Sequence, residues 1–325
     1  MVTASRYDDI NNIELTNTVN RATNLERKSL GDIDETNGWV YADATLESGR
    51  WLFNGGLRAD AFKFDYIDKL DSVYSTLSDG KMHISPKANI IYRINDDARI
   101  YLKSGIGFHS NDTRVVVSQS GYQILPSAAG FDLGTSWKPS PNLYVNVALW
   151  YLYMQQEFVY VGDEAVVEPS GESRRQGLDL SMRWQPLSWL FADFDINYAH
   201  PVAIGEPEGQ NYIPLAPTLT SMGGLSVQGK SAWSGTLRYR YIKDRPANED
   251  NSIVALGYFV MEGKLNYTTS FMELGATLEN IFNTDWNEAQ FAAETRLKNE
   301  ASPVDDLTFT PGVPFFFKLS ASFFL

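Results

Sequence analysis

The sequence predicts an all-β chain, an antiparallel transmembrane β-barrel segment of about 14 strands with long extracellular loops and short periplasmic turns. Three observations predict it. Aromatic residues make up 13% of the 325 residues, with 17 Tyr, 18 Phe and 8 Trp, while the mean hydropathy stays slightly negative. Apolar and polar residues alternate with a period of two over repeated stretches of about 10 to 13 residues. The connections between these stretches alternate between long and short. In a barrel wall only every second residue faces lipid, so mean hydropathy stays low although one face is oily. No run of about 18 apolar residues occurs, which excludes a transmembrane helix.

Taken in order, residues 1–20 are expected to hold one strand, and the polar stretch 21–37 to be an extracellular loop. Residues 38–325 are assigned to the barrel region, with thirteen further strands, so the total is an even fourteen. Ile84, Ala88, Ile90 and Tyr92 alternate with Ser85, Lys87, Asn89 and Arg93. Leu178, Leu180, Met182 and Trp184 alternate with Asp179, Ser181 and Arg183; Leu190, Ala192, Phe194, Ile196 and Tyr198 alternate with Asp193, Asp195 and Asn197. Trp233, Gly235, Leu237, Tyr239 and Tyr241 alternate with Ser234, Thr236, Arg238 and Arg240. Met272, Leu274, Ala276 and Leu278 alternate with Glu273, Gly275, Thr277 and Glu279. The last stretch sets Phe315, Phe317, Leu319, Ala321, Phe323 and Leu325 against Lys318, Ser320 and Ser322. Successive side chains of a strand point to opposite faces, so Phe194, Leu237, Leu274, Phe317, Leu319 and Phe323 are expected to face outward. Asp195, Arg238, Arg240, Glu273 and Lys318 are expected on the lumen side.

Short connections fall near 47–50, 94–97, 138–141, 185–188, 228–231 and 267–269. Long ones fall near 66–83, 109–128, 155–173, 200–216, 243–251 and 283–313. A soluble β-sandwich or β-helix also alternates. Its strands usually run about 5–6 residues, and it has no reason to carry aromatics at the strand ends or to alternate long and short connections.

Composition narrows the function classes. The absence of cysteine removes disulfides, a thiolate metal site and a thiol nucleophile. A net charge of −13 without a basic cluster argues against nucleic acid as a partner. Met1 leads into a stretch with neither a basic start nor an apolar run, so it is not expected to be a signal peptide. Either a signal was removed or the chain begins partway through a longer gene.

Four segments then point to a family. Gly107-Phe108-His109-Ser110-Asn111-Asp112-Thr113-Arg114 closes one strand and opens a long loop. Arg238-Tyr239-Arg240-Tyr241 runs on toward Asp244-Arg245-Pro246-Ala247-Asn248-Glu249-Asp250-Asn251-Ser252. Glu279-Asn280-Ile281-Phe282-Asn283 ends the next-to-last strand, and Phe309-Thr310-Pro311-Gly312-Val313-Pro314 precedes the last. In this order they resemble the C-terminal barrel region of a TonB-dependent receptor, over nearly all of the chain from about residue 38. The resemblance implies a place in the bacterial outer membrane and active uptake of a scarce nutrient such as a metal chelate. It implies as partners the outer-membrane lipid, the barrel-assembly machinery acting on the C-terminal strand, and TonB where a plug is supplied. The family barrel has 22 strands and a plugged lumen. The chain is therefore expected to be N-terminally truncated relative to it, to lack the plug, and not to carry out TonB-driven uptake alone. A plugless passive pore and an inactive gene remnant are the alternatives. Leu325 stands where such strands usually end in Phe.

Candidate substrate contacts are His109, Asn111, Arg114, Arg238, Arg240, Arg245, Asn248 and Glu249. Inward arginines on neighbouring strands provide a charged path for an anionic chelate. The plainer reading is ion pairing inside a wet barrel, and for His109, Asn111 and Asp112 a loop-anchoring hydrogen-bond cluster. His83 and His200 share no metal-ligand spacing, and Asp244 to Asn251 lacks the order of a calcium loop. No Gly-x-Ser-x-Gly, His-Glu-x-x-His or phosphate loop occurs, so no enzyme activity, cofactor or metal is expected.

Overall fold

The structure is a computed structural model that describes the chain except residues 21, 111–112, 119–123, 157, 162–165, 170, 230–231 and 325, and the side chains of 115–116, 118, 158–161 and 166–169. In chain order the elements are β1 (Val2–Val19), β2 (Thr23–Ser48), β3 (Trp51–Asp68), β4 (Thr76–Arg93), β5 (Ala98–Phe108), α1 (Thr113–Ser118), β6 (Ser127–Ser140), β7 (Leu143–Met154), β8 (Phe158–Val161), β9 (Val166–Pro169) and β10 (Ser173–Leu187). They continue with β11 (Leu190–Ala203), β12 (Leu219–Gln228), β13 (Trp233–Ile242), β14 (Arg245–Pro246), β15 (Val254–Ala255), β16 (Tyr258–Thr268), β17 (Met272–Glu279), β18 (Asn287–Thr295), β19 (Val304–Pro311) and β20 (Phe316–Phe323).

Fourteen of the strands form one sheet in the order β1-β2-β3-β4-β5-β6-β7-β10-β11-β12-β13-β16-β17-β20. Sequence neighbours are sheet neighbours throughout, and the ladders joining β1 to β3 and those joining β10 through β20 are antiparallel. Strands β1 and β20 each have a single neighbour in that order. The remaining strands pair off in the long connections, as β8 with β9, β14 with β15 and β18 with β19. The chain divides into two compact units, one of 1–90, 103–130 and 154–156 and the other of 91–102, 131–153 and 157–325.

The register sorts side chains as the alternation predicts. Leu237 lies opposite Leu225 and Gly263, while Arg238 lies opposite Gly224 and Glu262. Lys318 faces Thr277, and Phe317 faces Leu278. One face of the sheet is thus apolar and the other polar, with Met222, opposite Asp195, as an apolar residue on the polar side. The short connections are tight. Ser48 pairs with Trp51 across two residues, and Gly49 takes φ = 58°, the left-handed conformation that a two-residue hairpin requires. The apolar face carries aromatics at both strand ends. Trp233 and Tyr267 lie 4.9 Å apart near the short turns, and Tyr239 and Phe259 stack at 5.6 Å near the long loops.

Residues 23–37, expected as a loop, instead form the first half of β2. Thr23 pairs with Val19 and Asn37 with Arg6, and Gly31 to Asn37 also pair with β3. This stretch lacks the apolar face that marks a membrane strand, but backbone pairing does not need one. Its side chains hold it by charge, with Arg27 2.6 Å from Glu14 and Lys69 2.6 Å from Asp32. Strands β1 to β4 have 18, 26, 18 and 18 residues, more than the roughly 9–11 that cross a bilayer. The long connections near 66–83 and 283–313 are likewise partly strand, occupied by the ends of β3 and β4 and by the β18–β19 hairpin.

Candidate functional site

On the polar face of β10 to β13, two ion pairs interlock. Arg183 sits opposite Asp193 but reaches diagonally to Asp195, with Nη1 and Nη2 3.0 and 2.9 Å from its two oxygens. Ser181 donates a 2.6 Å hydrogen bond to the same carboxylate. Asp193 is thereby left to accept both guanidinium nitrogens of Arg238, at 3.0 and 2.9 Å, from two strands away. That reach is possible because the residue between them is Gly224. A Cβ there would lie 2.5 Å from the Leu237 carbonyl oxygen and 3.0 Å from Arg238 Cγ. Nearer the long loops, Trp150 Nε1 and Asn197 Nδ2 donate to Asp179 Oδ1 at 2.8 and 2.9 Å.

Arg240, one step beyond Arg238 on the same face, has a different environment. Its guanidinium lies over the Trp286 ring, 5.4 Å from the centroid, and the side chain is exposed. Trp286 is fixed from three sides. Tyr258 packs against it at 4.7 Å, its Nε1 donates to Val313 O at 3.0 Å, and it covers Gly312, where a Cβ would lie 2.1 Å from the indole. A guanidinium on an indole face keeps its in-plane donors free for a carboxylate or phosphate.

The other candidates fall in loops. Arg245 lies in β14, half-buried, and its Nη1 is buried with no hydrogen-bond partner. Burial pushes its pKa below the usual arginine value, partly offset by the nearby Tyr258 hydroxyl. Asn248 is a loop brace, donating to Ser252 Oγ at 2.7 Å and accepting from the Ile253 N–H at 3.0 Å. The Glu249 carboxylate is exposed, and its backbone carbonyl accepts the Tyr212 N–H. His109 and Arg114 belong to the other compact unit. The His109 N–H bonds Pro126 O, and Arg114 Nη1 donates to Ser29 Oγ at 3.3 Å. Leu125, from the connection that follows His109, is buried together with Phe64 on the polar face of β3. Asn111 lies outside the described residues. The structure thus brings Arg238, Arg240, Arg245, Asn248 and Glu249 into one unit and leaves His109 and Arg114 in the other. Sequence reasoning missed Trp286, and the Trp-to-Pro-Gly spacing across a 25-residue loop gives no local signal for it. Among the described residues no group of three or more His, Cys, Asp and Glu is placed to hold a metal ion.

The sequence matches the family model described as TonB dependent receptor-like, beta-barrel, over residues 2–283. The chain belongs to the TonB-dependent receptor β-barrel family. Family barrels are outer-membrane transport receptors. Among solved structures, this receptor barrel superposes on the unliganded ferric citrate transporter FecA with TM-score 0.73 and 15% identity, over 92% of this chain and 46% of that one. The ferric-catecholate import receptor Fiu from E. coli K12, in its closed form, gives 0.70 and 16% over 94% and 47%. The copper transporter OprC gives 0.67 and 15% over 91% and 50%. The barrel chain spans about half the length of the solved receptors it matches. No curated protein matches it.

The motifs of the resemblance have structural tasks in this receptor barrel. Asn280 and Asn283 both adopt positive φ, 47° and 49°, a conformation asparagine tolerates better than other residues with a Cβ. Asn280 Nδ2 donates to Thr284 O and Val313 O, and Asn283 Oδ1 accepts the Phe315 N–H at 2.9 Å. The two asparagines therefore tie both ends of the last long loop together. Gln290, almost fully buried, clamps that loop to its neighbour by exchanging two bonds with the Leu256 backbone.

Proposed function

We propose that this chain is the C-terminal barrel part of an outer-membrane receptor that imports a metal chelate with energy delivered through TonB, completed by further strands and a plug. The observation that carries this reading is the superposition of over nine-tenths of the chain on ferric and copper uptake receptors, each about twice as long. The apolar face meets outer-membrane lipid, the barrel-assembly machinery engages the terminal strand β20, and TonB acts through the plug. The cargo is an anionic chelate. Arg240, held on Trp286 with its donors free, makes the main contact on the polar face, and Asn248 and Glu249 shape the mouth above it. His109 and Arg114 contribute from the loop of the other unit. Arg238 is spoken for by Asp193, so it serves the wall rather than the cargo.

The test is deletion of the encoding gene in its native bacterium, followed by growth on single iron or copper chelates with TonB intact or removed. Loss of growth on one chelate, mimicked by loss of TonB, is the expected result. Growth lost by the deletion but indifferent to TonB would replace this reading with a passive pore, and unchanged growth on every chelate would overturn it.

A further inference from the structure

We propose a second binding site, distinct from the polar-face arginines: a preformed oxyanion cleft at the rim of the sheet, built by His200, Lys243 and Arg245 for a phosphate-class anion. The cleft has a volume of about 360 Å³ and lies between the loop that follows β11 and the loop that follows β13. Tyr212, Thr218, Asp244 and Asn251 complete its polar lining.

Its charge points to an anion. Two cations meet a single carboxylate, and Asp244 Oδ1 is already occupied by the Gly257 N–H at 2.6 Å. Arg245 Nη1 is a buried donor with no acceptor, and such a group is rare unless a ligand supplies one. A guanidinium beside an ammonium matches the geometry of phosphate oxygens.

Its backbone is built rather than loose. Leu215, in the chain between the lining residues Ile213 and Ala216, adopts φ = 60°, which is strained for a leucine. It is held there by its N–H bonding Pro246 O at 2.8 Å, and the two loops are joined again by the Tyr212 N–H to Glu249 O at 3.1 Å. Strain of this kind persists where surrounding contacts over-determine it, as at ligand clamps.

Its position separates it from the cargo path. His200 is two residues beyond Tyr198 in β11, so both fall on the apolar face. Lys243 is two beyond Tyr241, and its N–H continues the ladder to Leu219 O. Both side chains therefore stand just past the aromatic zone of Tyr239, Phe259 and Phe282. That is the level at which phosphates of the outer leaflet lie against an aromatic girdle. The same oxyanion chemistry could come from a lipid headgroup or from free phosphate.

The test uses the whole chain refolded in detergent, with two probes. One is inorganic phosphate, followed by phosphorus NMR line width. The other is vesicles of neutral lipid carrying a phosphorylated glycolipid, compared with vesicles carrying its dephosphorylated form. Arg245→Gln and, separately, Lys243→Gln are expected to weaken binding about ten- to hundredfold, the loss that follows removal of a hydrogen bond to a charged group. Lys298→Gln, an equal charge change on the exposed turn between β18 and β19, should leave binding unchanged. Preference for phosphorylated vesicles over free phosphate assigns the site to lipid, and equal affinity assigns it to a soluble anion. Binding of neither probe, or binding unaffected by both substitutions while the variants keep native heat-modifiable mobility, would overturn the site. Neither result depends on which chelate, if any, is transported.

Discussion

At the residue scale, the informative contrast is between two arginines two positions apart. Arg238 and Arg240 share one strand face and look equivalent in sequence, yet Arg238 is bound bidentately by Asp193 while Arg240 lies on Trp286 with free donors. Arg238→Gln should therefore cost about 1 kcal/mol of stability, the scale of a water-exposed ion pair, with chelate affinity little changed. Arg240→Gln should do the reverse, leaving the urea midpoint in place and weakening anionic chelate binding about tenfold or more. Equal effects of both substitutions on binding would remove the distinction. Alternation made the shared face legible, but the partners were not, because Arg183 pairs diagonally with Asp195 and so frees Asp193 for a residue two strands away. A second test at this scale concerns Asp250. Its carboxylate is held below the usual range by the Ser252 hydroxyl, at 2.7 Å, and by the Ser252 N–H. A depressed folded-state pKa contributes stability above the ordinary carboxylate pKa of about 3.9, and this is lost as pH falls through the lower folded value. In Ser252→Ala the NMR titration midpoint of Asp250 should rise toward that ordinary value. An unmoved midpoint would mean the hydroxyl does not hold it.

At the element scale, the fourteen sheet strands and their order were readable because each membrane strand announces an apolar face with period two. The first half of β2 was not, since its pairing is carried by backbone bonds and by pairs such as Arg27 with Glu14, which leave no hydropathy signal. The β18–β19 hairpin was hidden for a related reason. Its anchor is Gln290, a single polar residue whose amide grips the Leu256 backbone from 34 residues away. Gln290→Ala leaves the Leu256 N–H and C=O without their partners. Each buried group left unsatisfied costs about 1–3 kcal/mol, so the hairpin should open locally while the sheet stays intact. Protease cleavage confined to 287–311, with unchanged far-ultraviolet β signal, is the expected result. Global loss of the β signal would show that the hairpin supports the sheet itself. Gly224 belongs to the same scale. Gly224→Val sets a Cβ against the Leu237 carbonyl and the path of Arg238, so it should disrupt the β12–β13 ladder as well as the ion pair.

At the scale of the whole molecule, the decisive property is the asymmetry between the two faces of the sheet in a lipid environment. Leu265 is half-exposed on the apolar face, in register with Gly235 and Ala276. Lys264, its neighbour in β16, is on the polar face opposite Thr236 and Thr277. In a soluble sheet, a charge at either exposed position would change stability by about 0.5 kcal/mol or less, because both faces would meet water. In a bilayer the apolar face has no water to solvate the guanidinium, and an arginine near mid-depth there costs about 2–4 kcal/mol. Leu265→Arg, one same-face position inside the Trp233–Tyr267 level, should therefore lower the free energy of folding into phospholipid vesicles by about 1–2 kcal/mol, measured by urea titration, whereas Thr236→Arg should stay within about 0.5 kcal/mol of the parent chain. The penalty should also shrink for substitutions placed nearer the Trp233–Tyr267 or Tyr239–Phe259 aromatic pairs, where a long side chain can reach the interface. Equal tolerance of both substitutions would mean that this sheet does not stand in a membrane, and the transport reading would fall with it.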